Sequence, residues 1–209
     1  MLNLCSPSDI LQSPYGPYFY TQFDFWQERV IVYFSGYSKE KAAGCAQFMI
    51  CNNPIKHLFV IGTSGGVDQR LNLLDVVIAS ETVIYDCIEK LENEQSLFPE
   101  DFRTPVDIGF ISGKVLPEKT WIGRVATADQ DIDATVRAHL MPHDVLVADW
   151  ESGAIALIAK LNHIPFTVFR GVSDLPNKDL TQEQQAEQYR TNTPKLMKRL
   201  VTEYLPLFN

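Results

Sequence analysis

The stretch that most constrains the fold is Val145-Leu146-Val147-Ala148-Asp149-Trp150-Glu151-Ser152-Gly153-Ala154-Ile155-Ala156. A short β-branched run, residues 145–148, ends in Asp149, and small residues at helical spacing follow from Glu151. The first pattern predicts a buried strand and the second a helix. A strand-to-helix junction of this kind points to α/β architecture, in which strand-end carboxylates lie at the edge where ligands bind. The plainer alternative is that Glu151 only complements the positive end of the helix.

The other segments extend the α/β pattern. Residues 2–5 predict a short first strand, with Asp9 in the loop after it. Pro14, Gly16 and Pro17 predict a break in regular structure. Residues 18–25 and 29–34 predict a hairpin around Trp26-Gln27-Glu28. A helix is predicted over 40–51 and strands over 57–61, 75–84, 123–126, 145–148 and 165–169. Gly62-Thr63-Ser64-Gly65-Gly66 reads as a tight polar loop after its strand. Residues 136–140 and 181–204 read as helical, with a break or a new start at Pro194. Residues 89–118 show little pattern beyond an apolar run at 106–111. The whole, residues 1–209, reads as one domain.

Composition narrows the partners. The chain has 209 residues and a formal net charge of −8. With no basic run, nucleic acid and anionic membrane are disfavoured as partners. Cys5, Cys45, Cys51 and Cys87 lack CxxC pairing and sit in apolar surroundings. They read as reduced, buried thiols of a cytoplasmic protein. No stretch is apolar enough to span a bilayer, and residues 1–9 lack the basic start of a signal peptide. Nothing calls for a metal or a cofactor.

Four predicted strand ends carry polar residues: Gly62–Gly66, Thr127–Asp129, Asp149–Glu151 and Arg170–Asp174. Parallel neighbouring strands would bring them to one edge. This ordered set, with Leu73-Leu74-Asp75-Val76-Val77 and Tyr85-Asp86, resembles the purine nucleoside phosphorylase superfamily. The branch most similar to it holds the 5′-methylthioadenosine/S-adenosylhomocysteine nucleosidases, with the futalosine hydrolases beside it. The resemblance implies a three-layer α/β/α sandwich with a central mixed sheet. It also implies a homodimer, a small-molecule nucleoside substrate and cleavage of the purine–ribose bond.

By the same resemblance Asp174 is the acid that protonates the purine, oriented by Ser173. Glu151 takes the ribose hydroxyls, for which a carboxylate offers two acceptor oxygens. Trp150 flanks the sugar, and Thr63, Ser64 and Gly65 approach the nucleophilic water. Asp129, Gln130, Asp131, Ile132 and Arg170 complete the expected substrate site. Phosphorylases of the superfamily carry an arginine just before the glycine segment, where this chain has Val60. Without that cation a phosphate has little to bind it, so hydrolysis is expected over phosphorolysis. The nucleosidases place a water-activating glutamate after the first strand. Asp9 is the carboxylate available there. Gln130 and Asp131 stand where the family usually has an apolar or aromatic residue facing the purine, which leaves room for an aminofutalosine-type substrate. A nucleoside-binding protein without catalysis is the reading from another class.

Overall fold

The computed structural model describes residues 9–88, 98–177 and 179–208. The expected hairpin is part of a small antiparallel sheet of β1 (Leu11–Ser13), β2 (Gly16–Thr21) and β3 (Val30–Tyr33). The break expected around Pro14, Gly16 and Pro17 is a tight turn instead, and Pro17 lies within β2. Ser13 Oγ accepts the backbone N–H of Tyr15 and Gly16 there, and Gly16 takes φ 147°, where a side chain is disfavoured. The strand expected over residues 2–5 lies outside the described residues.

Helix α1 (Lys39–Asn52) follows, capped by the Ser38 hydroxyl. Beyond it come β4 (Leu58–Gly66), β5 (Val76–Ile84), β6 (Arg103–Pro105), β7 (Thr120–Thr127), α2 (Ala134–Leu140), β8 (Val145–Asp149), α3 (Ser152–Leu161), β9 (Phe166–Asp174) and α4 (Gln182–Arg199). The larger sheet has the order β6-β5-β7-β8-β4-β9 and is mixed, as expected. It does not stay an open layer: β5 also pairs with β9, closing a ring through β5, β7, β8, β4 and β9. Register shifts at Ser64/Gly65, Ala79/Glu81 and Arg124/Val125 supply the extra twist that such curling needs.

The parallel-neighbour condition holds only in part. The pairs β4–β9, β5–β7 and β7–β8 are parallel, whereas β4 and β8 are antiparallel. The β4–β8 contact joins Gly65 to Ala148 and Gly66 to Val147, which are the carboxyl ends of both strands. The two parallel groups therefore still meet at their carboxyl ends. One expected loop is strand, since residues 62–66 belong to β4, and residues 170–174, expected as a polar strand end, continue β9.

One face of the ring packs against α1 and α3 through Ala42, Ala46, Val60, Val147, Ile155 and Val168. Another buries Phe169, Leu196, Leu200 and Tyr204. That second cluster explains why α4 runs unbroken through Pro194, contrary to expectation. An interior proline costs roughly 3 kcal/mol, and the apolar residues beyond it are held in the core. Cys45 is buried as expected, but Cys51 is exposed at the end of α1 and Cys87 is half-buried. No helix among the described residues is long and apolar enough to cross a membrane.

Candidate active site

The junction after β8 is built around Asp149, which is 4% exposed. Its Oδ1 accepts the Thr127 hydroxyl at 2.7 Å and the backbone N–H of Glu151 at 3.1 Å and Ser152 at 3.0 Å. Asp149 thus caps α3, while the Glu151 side chain makes no capping bond. The capping role that could have explained Glu151 belongs to its neighbour. Gly153 donates to the Thr127 hydroxyl at 2.8 Å, drawing the helix end onto β7.

Arg170 crosses from β9 to this junction and is 4% exposed. Its Nε lies 2.6 Å from Asp149 Oδ2 and 2.7 Å from Ser152 Oγ. Nη1 donates to the Thr63 carbonyl at 3.3 Å, and Nη2 to Glu151 Oε2 at 3.3 Å. A side chain at Gly62 would place its Cβ 2.1 Å from Nη1, so the first glycine of the segment makes room for this guanidinium. Arg170, expected among the substrate contacts, bonds to Asp149, Ser152, Thr63 and Glu151 and lies beneath Glu151. The Glu151 carboxyl is pushed up to about 7 by burial, with Arg170 opposing and Asp149 reinforcing the rise.

Asp174 ends β9, where the register sets it beside Gly65 of β4. Ser173 donates to its Oδ1 at 2.6 Å, and Gln185 Nε2 of α4 donates to its Oδ2 at 2.8 Å. Ser173 Oγ also lies 3.2 Å from the Ser64 carbonyl, and Ser64 donates to the Gly171 carbonyl. Burial raises the Asp174 carboxyl above the ordinary range; Ser173 and Gln185 lower it, and Asp131 raises it.

Ile132, at 7% exposure, packs over Gly65. Trp150 and Thr63 are half-buried, whereas Gln130 and Asp131 are exposed. Asp129 and Gln130 line a cavity of about 430 Å³ with Tyr85, Asp86, Val136 and His139. Asp129 accepts the Lys39 backbone N–H at 2.8 Å, and its own N–H donates to Asp86 at 2.9 Å. Lys39 Nζ pairs with Asp86 and, at 3.4 Å, with Asp129. Two strand ends are so fastened to the start of α1. Asp9 is exposed and leads into β1 of the small sheet.

Thr127 and Ser152 stood in the predicted junction segments without a role of their own, while Gln185 and Lys39 were not identified from the sequence. The Thr127–Asp149 pair was signalled by two polar residues closing adjacent apolar runs. Gln185 had no such signal: it is one of four glutamines in residues 182–188. In the structure Gln184 completes the cap of α4 and Gln188 accepts the Leu175 N–H.

The profile described as Phosphorylase superfamily matches residues 9–205. A 5′-methylthioadenosine/S-adenosylhomocysteine nucleosidase of Psychromonas ingrahamii is 25% identical over 193 residues, covering 87% of this chain and 83% of that protein. Its counterpart from a Marinomonas species is 24% identical over 165 residues, covering 73% and 71%. The fold is similar to the crystal structure of S-adenosylhomocysteine nucleosidase from Streptococcus pyogenes in complex with 5-methylthiotubericidin. The TM-score is 0.76 at 20% identity, covering 99% of this chain and 88% of that one.

Proposed function

Because the chain belongs to the phosphorylase superfamily, we propose that it is a purine nucleosidase. It would hydrolyse the N-glycosidic bond of a 5′-modified purine nucleoside and release adenine. The substrate class is that of methylthioadenosine, S-adenosylhomocysteine or an aminofutalosine-type nucleoside. The observation that carries this reading is the pair of carboxylates, half-buried Glu151 and buried Asp174, beside the joined carboxyl ends of β8, β4 and β9.

Breaking C1′–N9 leaves positive charge on the sugar and negative charge on the base, as in other glycoside cleavage. Asp174, its carboxyl raised by burial, delivers a proton to the base so that it leaves neutral. Glu151 accepts hydrogen bonds from the two ribose hydroxyls. Water adds to C1′ and gives up a proton to a base; Asp9, the carboxylate the sequence offers for it, lies exposed at the entry to β1. Support for water over phosphate comes from Val60, which is 5% exposed in the apolar core. Arg170, the cation beneath the site, is already bonded to Asp149, Glu151, Ser152 and Thr63.

The test is incubation with methylthioadenosine, with and without phosphate, while free adenine is measured. Release without phosphate is the expected result. Release only with phosphate makes the protein a phosphorylase; binding without release makes it a nucleoside-binding protein. We further propose that residues 1–209 act as one domain and assemble as a homodimer. Ile10, Tyr15, Phe34 and Tyr37 leave an apolar surface exposed around the small sheet. Sedimentation showing only monomer at micromolar concentration would count against the dimer.

A further inference from the structure

Both oxygens of Asp174 are occupied, but by donors of different freedom. Oδ1 faces the Ser173 hydroxyl at 2.6 Å, and that hydroxyl has a second partner in the Ser64 carbonyl at 3.2 Å. Ser173 can therefore turn: it donates to Oδ1 when Asp174 is ionised, and to Ser64 when Oδ1 carries a proton. Oδ2 faces Gln185 Nε2 at 2.8 Å, and the same nitrogen lies 2.9 Å from the Ile132 carbonyl. An amide nitrogen carries two N–H donors and the amide oxygen none. Flipping the Gln185 amide would set its oxygen against two acceptors, so the nitrogen is pinned in place.

We propose that Gln185 is a positioning residue: it reserves Oδ2 of Asp174 for its amide and confines the acidic proton to Oδ1, on the Ser173 side. Asp174 is then held in one protonated form, with the proton on the oxygen whose neighbour can accommodate it. This deepens the nucleosidase reading and rests on it for its catalytic meaning, though the placement of the proton does not. The surroundings of Asp174 are Ser173 on its own strand, Gly65 on β4, Gln185 on α4 and Asp131 from the segment after β7. Asp131 is the charged group recorded among them. Its carboxylate opposes ionisation of Asp174, whereas the amide favours it.

The test uses Gln185→Met, which keeps the length of the side chain and removes the donor. Infrared difference spectra across the Asp174 titration, assigned by their loss in Asp174→Asn, read the proton directly. Removing the amide should move the C=O stretch of protonated Asp174 to higher frequency. It should also raise the titration midpoint by about one unit, as losing a donor to a carboxylate does. With methylthioadenosine, kcat should fall about tenfold with KM nearly unchanged, the cost of a displaced reacting group. The alkaline limb of the rate profile should move up with the midpoint. An unchanged stretch and midpoint in a folded Gln185→Met protein overturns the proposal. If both move as stated while the wild type releases no adenine, the nucleosidase reading fails and the placement of the proton stands.

Discussion

Glu151, half-buried, and Asp174, buried, are carboxylates beside the same strand ends, but they are held by different means. Glu151 rests on charge: Arg170 lies beneath it and Asp149 behind that. Asp174 rests on neutral dipoles, the Ser173 hydroxyl and the Gln185 amide. A buried ion pair fixes position but is intolerant of losing a partner. Neutral donors leave the proton free to come and go. A group that accepts hydroxyls suits the first setting, and a group that cycles its proton suits the second. The distinction is not absolute. Arg170 sits nearer Asp149, at 2.6 Å, than Glu151, at 3.3 Å, and the Glu151 carboxyl is pushed up to about 7 by burial.

The largest expected effect is on the dipole-held group. Asp174→Asn keeps the shape of the side chain and cannot deliver a proton. Adenine release should fall by about 10²–10⁴-fold, the usual worth of a general acid. Circular dichroism should show the fold intact. Wild-type turnover in this variant would place the acid elsewhere and dissolve the contrast between the two carboxylates.

The charge-held group is challenged next through its support. Arg170→Met leaves Asp149 buried without its cation, which typically costs about 3–5 kcal/mol of stability. Urea unfolding should show that loss, and Asp149→Asn added to it should recover part. If the single variant unfolds like wild type, the ion pairs are not what holds Glu151.

These contrasts were only partly legible in the sequence. The apolar run ending in Asp149 identified a strand and its polar end, because a short, continuous, β-branched run bounded by polar residues suits a buried strand. Closure of the sheet left no such mark, since pairing of β5 with β9 depends on twist summed over several strands. The glycines of β4 suggested a loop by composition. They lie in a strand because Gly62 must clear the Arg170 guanidinium, a contact between residues 108 positions apart in the chain. Arg170 was legible as a site residue but not as a support for another. Gln185 was not legible at all, since its role depends on where α4 crosses the end of β9.

A smaller effect separates the catalytic and structural costs of Glu151. Glu151→Gln should weaken ribose binding by roughly 1.5–3 kcal/mol, the worth of a hydrogen bond to a charged group. A 2′,3′-dideoxy substrate should lose little further in that variant. The stability effect has the opposite sign. The carboxyl titrates near 7 in the folded protein against an ordinary 4.5, so its neutral form is favoured by folding. That stability is fully present below about pH 4.5 and is lost as pH rises through 7. Gln stays neutral throughout. The melting temperature of Glu151→Gln relative to wild type should therefore climb between pH 5 and pH 8. A flat difference would mean that Arg170 neutralises Glu151 fully, which sharpens the ion-pair account at the expense of the burial one.

The smallest effect is expected at Asp9. A base that takes the proton of the attacking water contributes about 10²–10⁴-fold when it is positioned at the reacting atom. Glu151 and Asp174 are positioned by buried partners on the larger sheet, whereas Asp9 is solvent-exposed at the entry to the small one. Asp9→Asn should then slow adenine release by less than about tenfold and leave nucleoside binding unchanged. Release measured over several pH values in the variant and the wild type decides the point. A hundredfold loss at constant KM would restore Asp9 as the base.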